Sequence, residues 1–489
     1  MKLKKLLRRT PIKKIYGPKD IEITGLTSNS KLVCPGHLFI AKRGRVEDGA
    51  KYIPEAIRSG AKAVLTNFYD PSLNVTQIIY PDIALIEPLL AAEFYDHPSR
   101  EMLIIGVTGT SGKTTTTFLI KHLLDTLGKQ SGLIGTIEYI NGQRRYPATR
   151  TTPDVISNHK MLREMKHHGC EAAVMEVTSH ALDQNRVELI DFDVAVFTNL
   201  TLEHLDYHKT VEAYAAAKQK FFLSLNSKNK KSPKVACFNA DSPWSAYMSE
   251  GCKAKILTFG CVENADFKAE NIALTPSGTH FDLIYLGEKR KAFTPMAGRF
   301  NVYNALGAIA ALASQGHPLD KILDALKTFP GVPGRLELVA NPLNLKVFVD
   351  FAHKEDALIN VLDCLKEFKV GKIITVFGCG GDRDRTKRPK MARAIEENSD
   401  IVILTNDNPR TEDPALIAKE AAAGFQQNKA LIELDRKKAI GKAIELATLD
   451  DIVLIAGKGH EPYQIFAHKT IEFDDRKVAL ELATLKAGR

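Results

Sequence analysis

Apolar positions along the chain fall into three successive patterns. Over the first ~98 residues, short apolar runs such as LFIAKRG and AKAVLTN are broken by Gly and Pro and end in the turn-like DHPSR, which predicts a small α/β domain. From Met102 the runs lengthen into LIIGVTG, AAVMEV, VAVFTN and KVACFN, separated by stretches of helical period such as FLIKHLLDTL and VEAYAAAKQKFF. Continuous apolar strands alternating with helices predict a mostly parallel sheet covered on both faces. After the glycine- and proline-rich FPGVPGR the pattern restarts with KVFVDFAH, KIITVFGCGG, DIVILTNDNP and DIVLIAGKGH, each strand running straight into a polar or glycine-rich loop. The expected architecture is α/β in three domains, residues 1–98, 99–330 and 331–489, the last Rossmann-like. In open sheets of this kind ligands bind beyond the carboxyl ends of the strands, and two such domains facing each other would make a cleft.

Composition narrows the function classes. Lys+Arg number 67 against 58 Asp+Glu, a formal +9 that favours anionic ligands such as nucleotides and carboxylates. The densest early basic run, Lys2 to Lys14, lacks the interleaved aromatics of a nucleotide-stacking surface, so nucleic acid is not an expected partner. The seven cysteines are odd in number and form no C-x-x-C pair, which argues against a disulfide framework or a zinc site. No apolar run approaches the roughly 20 residues needed to span a bilayer. The basic start leads to Pro11 and more lysine, not to a signal-peptide core. The expectation is a soluble, unprocessed cytoplasmic monomer without membrane insertion.

The strongest local signal is LIIGVTGTSGKTTTTFLIKHLL. A buried strand enters a loop, Gly109, Thr110, Ser111, Gly112, and leaves as a helix beginning Lys113, Thr114, Thr115, which presents backbone N–H groups to phosphate. Lys113 would reach terminal phosphates and Thr114 would offer a hydroxyl to Mg²⁺. The G-x-x-x-x-G-K-[ST] spacing is not met, since Val107 stands where its first glycine belongs. The plain alternative is an ordinary strand-to-helix turn, but the order of strand, Gly-Lys-Thr and helix favours a P-loop ATPase-like central sheet. Glu176 in VMEVTSH and His204 in NLTLEHLDYH follow at the ends of later strands, where they could meet a nucleotide-bound metal; Asp206 and His208 are equal candidates. Lys218, in AYAAAKQKFF, reads from the residues alone as an exposed lysine on an alanine-rich helix. Asn301 and Asn304 read as capping or packing at a helix start.

GTSGKTT is followed by TTPD, EVTSHALDQNRV, TNLTLEHLDYH, YAAAK, GRFNVYNALGAIAA, GRLE, DFAH and DNPR. In order and spacing, over nearly the whole chain, this series resembles the Mur ligases. The resemblance implies an ATP-dependent amide ligase that activates a carboxylate as an acyl phosphate and releases ADP and phosphate. It implies Lys113, Glu176, His204 and Lys218 as catalytic residues, with Lys218 carbamylated by CO₂. Two Mg²⁺ ions would be held by Thr114, Glu176, His204 and the carbamate. ATP would contact Gly109 to Thr115, then Asn301, Asn304, Arg335 and Asp350. The sugar nucleotide would meet Ser28, Ser30, Arg45, Val46, Glu47, Thr151, Thr152, Thr178, Gln184 and Arg186, whose hydroxyls, amides and guanidinium groups suit a diphosphate and a peptide carboxylate. One departure stands out: where many relatives read D-Y-A-H-T-P, this chain has Asp350, Phe351, Ala352, His353, Lys354 and Glu355.

Within that family the segment TNDNPRTEDP points to the acceptor. Arg383, Asp407, Asn408, Pro409, Arg410, Gly457 and Glu461 match the pattern for diaminopimelate, whose distal carboxylate needs a cation and whose distal amine needs acceptors. The resemblance thus implies addition of meso-diaminopimelate to the D-Glu γ-carboxylate of UDP-MurNAc-L-Ala-D-Glu. A lysine acceptor would leave Arg410 without its partner. The plain alternative for this segment is a surface turn built on Asn-Pro. A folylpolyglutamate synthetase, a motor or signalling NTPase, and a nucleotide-binding scaffold are the rival classes; the first shares the shortened loop but not DNPR together with GKGHE.

Overall fold

The computed structural model describes residues 1–44, 47–226, 231, 233–427 and 430–488. The chain forms two compact units, Met1–Ala265 with Gly307–Leu319, and Asp266–Leu306 with Asp320–Arg489.

The first unit holds two sheets. Strands β1 (Lys14–Tyr16), β2 (Gly25–Thr27), β3 (His37–Ile40), β4 (Ala63–Thr66) and β5 (Thr76–Ile79) lie in the order β1-β5-β4-β3-β2, parallel except for β1. Successive residues face opposite sides, so Leu38 and Ile40 join one core with Leu6 and Leu90 while Phe39 joins another with Ile53 and Ala56. The second sheet comprises β6 (Leu103–Thr108), β7 (Ser131–Ile134), β8 (Glu138–Asn141), β9 (Arg144–Pro147), β10 (Ala172–Glu176), β11 (Val194–Phe197), β12 (Val235–Asn239) and β13 (Lys255–Gly260). Their order is β13-β12-β11-β6-β10-β7-β8-β9, parallel from β13 to β7 and antiparallel at β8 and β9. Because β6 lies between β10 and β11, the loops after these three strands open side by side. Gly106 in β6 has a packing reason: a Cβ there would lie 2.4 Å from Phe221 Cζ. Helix Val211–Ser224 therefore sits tight against the strand, its Phe221 and Phe222 in the core with Phe192, Phe197 and Phe238.

The second unit begins with an antiparallel meander, β14 (Phe267–Thr275), β15 (Gly278–Tyr285) and β16 (Glu288–Thr294). Its larger sheet is β17 (Glu337–Leu338), β18 (Lys346–Asp350), β19 (Ile373–Cys379), β20 (Ile401–Asn406), β21 (Leu431–Ile432) and β22 (Ile452–Ala456), followed by the hairpin β23 (Tyr463–Phe466) and β24 (Lys469–Glu472). The order β17-β18-β22-β19-β20-β21 is parallel apart from β17, and both faces are buried. The carboxyl ends of β18, β22, β19 and β20 thus adjoin, and with them Asp350, Gly457, Gly380 and Asp407.

Arg436, wholly buried, binds those ends together. Its guanidinium donates to both Asp475 oxygens at 2.7 Å and to the carbonyls of Asn406 and Ala456 at 3.1 Å. Removing one member of a buried pair leaves the other uncompensated, at a cost of about 3–5 kcal/mol. Arg436→Met should lower the denaturation midpoint followed by circular dichroism accordingly; an unchanged midpoint contradicts this account.

Cys34, Cys170, Cys252, Cys364 and Cys379 are free thiols. Among the described residues no helix is long and apolar enough to cross a membrane.

Candidate active site

β6 ends in a turn that only glycine permits at two points. Gly109 has φ +153° and a Cβ there would lie 1.9 Å from Thr198 Oγ1; Gly112 has φ +84°. The turn is fastened to the end of β11: Thr110 N–H donates to Asn199 O at 2.9 Å, Ser111 N–H to Asn199 Oδ1 at 3.0 Å, and the Thr198 hydroxyl to Ser111 O at 2.6 Å. Helix Lys113–Thr126 starts immediately, with its positive dipole end at the loop. The Lys113 ammonium folds back over this loop, donating to the carbonyls of Gly109 at 2.9 Å and Thr110 at 2.7 Å.

Glu176 is the last residue of β10 and fully buried. Its Oε2 accepts from the hydroxyls of Thr114 and Thr136, each at 3.0 Å, and Oε1 accepts from Thr136 N–H at 2.7 Å. Gly135 makes room, since a Cβ there would lie 2.6 Å from Oε1. Sequence reasoning missed Thr136; the available signal was a small residue and a hydroxyl just past β7, at the same sheet edge. Hydroxyl and carboxylate oxygens are hard donors that suit Mg²⁺. Among the described residues no group of three or more His, Cys, Asp or Glu side chains is gathered to hold an ion. An ion held largely by phosphate and water needs no such cage.

Lys218 corrects the residue-level expectation. It is 1% exposed, because Tyr214, Ala215, Phe221 and Phe222 turn that face of the alanine-rich helix into core. Its amine donates to Gly109 O at 2.8 Å and lies 4.6 Å from the Tyr214 ring centre. Burial and the nearby Lys113 ammonium hold it well below the ordinary lysine value, so its free base is within reach. His204 is partly exposed, with φ +58° and its ring edge-on to His180 at 4.8 Å and Tyr214 at 5.9 Å. Of its alternatives, His208 is buried with Nε2 3.0 Å from Ser179 Oγ, and Asp206 is exposed.

Five of the ten residues expected to meet the sugar nucleotide are linked to one another or, directly or through Thr136, to Glu176. Thr151 Oγ1 lies 3.1 Å from Thr136 Oγ1. The Thr152 hydroxyl donates to Glu176 O at 2.7 Å and lies 3.2 Å from Thr178 Oγ1. Arg186 donates to Thr152 O at 2.9 Å and to Gln184 Oε1 at 2.7 Å, and the Gln184 amide donates to Tyr207 at 2.9 Å. Farther toward the amino terminus, Ser28 is half-buried, Ser30 is buried at the start of a short turn whose other residues are exposed, and Glu47 accepts from the Tyr52 hydroxyl. Arg45 and Val46 lie outside the described residues.

In the second unit a cavity of about 130 Å³ opens at the carboxyl edge of the sheet. Arg383, Asp407, Asn408, Arg410, Gly457 and Glu461 all line it, six of the seven residues expected for the acceptor; Phe351, His353, Lys387, Met391, Gly378 and Gly380 complete the wall. Pro409, the seventh, is fixed between Asn408 and Arg410, and a Cβ at Gly381 would lie 1.8 Å from its carbonyl oxygen. Arg410 has φ +54°, donates its N–H to Ile465 O at 3.0 Å and its guanidinium to Gly381 O at 2.7 Å. Gly457, at φ +112°, lets Asp407 approach: a Cβ would lie 2.7 Å from Oδ2. Behind these loops the buried Arg388 donates to Glu412 at 2.8 and 3.0 Å, to Glu420 at 2.6 Å and to Gly380 O at 3.2 Å. This brace joins the GGDR loop to TNDNPRTEDP, and sequence reasoning did not anticipate it. Three cations and two carboxylates around one small cavity suit a ligand that carries both signs.

The remaining expected residues are engaged locally. Asp350 accepts from the N–H groups of Leu336 and Ala352, both at 2.6 Å. Phe351 stands beneath the Arg335 guanidinium at 4.8 Å and packs on His353 and His460. Asn301 donates to Ala297 O at 2.8 Å and accepts from the Asn304 amide at 2.9 Å, both side chains being buried.

Three family models match the chain in succession: Mur ligase family, catalytic domain, at residues 22–103; Mur ligase middle domain at 107–312; and Mur ligase, glutamate ligase domain, at 334–459. The UDP-N-acetylmuramoyl-L-alanyl-D-glutamate--2,6-diaminopimelate ligase of Chlamydia felis is 42% identical over 487 residues, covering 99% of each chain. The ligase of that name from Geobacillus thermodenitrificans is 42% identical over 482 residues, covering 98% of each. A solved structure of a ligase so named superposes with a TM-score of 0.73 at 31% identity, covering 100% of this chain and 99% of that one.

Proposed function

The chain belongs to the Mur ligase family, and on that premise we propose that it joins meso-diaminopimelate to the D-Glu γ-carboxylate of UDP-MurNAc-L-Ala-D-Glu. It is an ATP-dependent ligase of peptidoglycan-precursor synthesis. The observation that carries the choice of acceptor is the cavity lined by Arg383, Arg410, Asp407 and Glu461, whose charges complement a diamino dicarboxylic acid. In this reading residues 1–98 take the UDP sugar, 99–330 take ATP and 331–489 take the amino acid. The need for ATP argues for the cytoplasm, and one chain carries every residue invoked, which argues for a monomer.

In the reaction, the glutamyl carboxylate attacks the γ-phosphorus of ATP and ADP leaves. The acceptor amine then attacks the acyl phosphate carbon, and phosphate departs as the amide forms and the amine gives up its proton. The enzyme contributes mainly position and charge. The loop Gly109 to Gly112 cradles phosphate with backbone N–H groups. Lys113 exchanges its two carbonyl partners for phosphate oxygens. Arg186, Thr152 and Thr178 hold the peptide carboxylate beside Glu176. Thr114 and Glu176 would hold Mg²⁺, with His204 and a carbamate on Lys218 serving a second ion; bound there, Mg²⁺ neutralises phosphate charge. The buried Lys218 amine, its basicity lowered by burial and by the Lys113 ammonium, can as the free base attack CO₂ and lose a proton to form that carbamate. Asp350, Arg335, Asn301 and Asn304 are assigned to the nucleoside.

Phosphate release measured with ATP and the UDP-muramoyl dipeptide tests the reading. Release should depend on meso-diaminopimelate, be far slower with L-lysine, and match new amide found by mass spectrometry. Equal release with no acceptor, and no amide, overturns it. In CO₂-depleted buffer the rate should fall and recover on adding bicarbonate; an indifferent rate removes the carbamate.

A further inference from the structure

Beside the acceptor cavity sits a cation that the reaction above does not use. Lys458 follows Gly457 at the end of β22 and its side chain is wholly buried. Its ammonium lies 3.2 Å from Asn408 Oδ1 and 3.3 Å from Glu461 Oε2, and 5.5 Å from the Tyr463 ring centre. Both oxygens belong to residues that line the cavity. The side-chain amide of Asn408 is oriented without ambiguity. Its Oδ1 faces two groups that can only donate, Lys458 Nζ and Ile465 N–H at 3.0 Å, and its Nδ2 donates to the Glu461 carboxylate at 2.8 Å. A buried ammonium is costly unless paired, and an apolar side chain would fill the same space more cheaply. The backbone on either side is already fastened by Arg436 through Ala456 O and Asn406 O, so Lys458 is not needed to hold the strands together.

We propose that Lys458 is a positioning residue for the acceptor: it draws Glu461 against Asn408, so that Glu461 Oε1 meets the acceptor's distal ammonium and the second Asn408 amide hydrogen meets its carboxylate. The inference rests on the acceptor reading of the cavity. Lys458 touches neither ATP nor the muramoyl peptide in this scheme, so its loss is felt in one Michaelis constant.

The test is steady-state kinetics on full-length K458M, N408A and the double variant, each checked for cooperative melting. K458M should raise KM for meso-diaminopimelate on the order of tenfold or more, the effect of losing a charge-assisted pair. KM for ATP and for the muramoyl dipeptide should stay within about twofold, with kcat at saturating acceptor largely kept. In the double variant the two KM effects should be less than additive, since both residues act through one pair. K458Q, which retains a shorter neutral donor, should fall between wild type and K458M, and carries the test if K458M does not fold. A folded variant with unchanged acceptor KM, or with all three KM values raised alike, overturns the proposal. If the wild-type enzyme itself ignores meso-diaminopimelate, the reading of the cavity fails first, and that outcome is distinct from a wild type that uses it and a variant that uses it equally well.

Discussion

Lys113→Ala should lower ATP-driven phosphate release by a factor of roughly 10²–10³ at saturating substrates, the range seen when a preorganised group loses its hold on transition-state charge. In the structure the Lys113 ammonium rests on the carbonyls of Gly109 and Thr110, while the turn is held by Asn199 and Thr198. The loop should therefore survive the substitution, and the melting temperature should change little. A second loss accompanies the first. Lys113 is one of the two influences that lower the Lys218 basicity, so without it the Lys218 amine holds its proton more firmly and reacts less readily with CO₂. Added bicarbonate should consequently recover little of the rate. Near-normal turnover of a folded variant would remove the phosphate-loop assignment.

Arg410→Ala should raise KM for meso-diaminopimelate about thirtyfold or more, given the roughly 2–5 kcal/mol lost when one partner of a buried charged pair is truncated. KM for ATP should move far less. Discrimination against L-lysine should shrink too, because the variant no longer offers a fork to the distal carboxylate. Arg410→Lys should recover only part of the affinity, since a point charge cannot bind a carboxylate in two places. Comparable effects on the ATP and acceptor constants would count against the specificity assignment. The guanidinium also holds Gly381 O, so a melting curve beside the kinetics separates slackening of that loop from lost recognition.

The sheets and the loops beyond them were legible because parallel strands buried on both faces leave uninterrupted apolar runs, and each run here ends in glycine or a polar residue. The turn at Gly109 and Gly112 and the acceptor segment Asp407 to Arg410 could be found the same way. The burial of Lys218 could not. Its alanine neighbours carry no strong periodic signal, and its burial follows from the packing of its helix on β6, where Phe221 meets Gly106 and Lys218 meets Gly109 O, more than a hundred residues earlier in the chain. Thr136, Arg388 and Lys458 were missed for a related reason: each acts through a side chain supplied by a distant segment. Glu176 with Thr136 is one such pairing, and Arg388 with Glu412 and Glu420 another. The meander β14 to β16, with one face partly exposed, dilutes its apolar residues with Lys, Glu and Asp and leaves no continuous run.

The Arg388 brace bears on how a binding preference of this kind can drift over generations. Arg388, Glu412 and Glu420 fix the shape of the two loops from behind, whereas Arg383 and Arg410 supply charge at the front. Scaffold and selector are therefore largely separable, the Arg410 bond to Gly381 O being the one contact described above that serves both. Selection can exchange the groups that greet the incoming amino acid, one at a time, while the frame that presents them persists, so the same loops could come to accept a different diamine without the lineage passing through an unfolded intermediate.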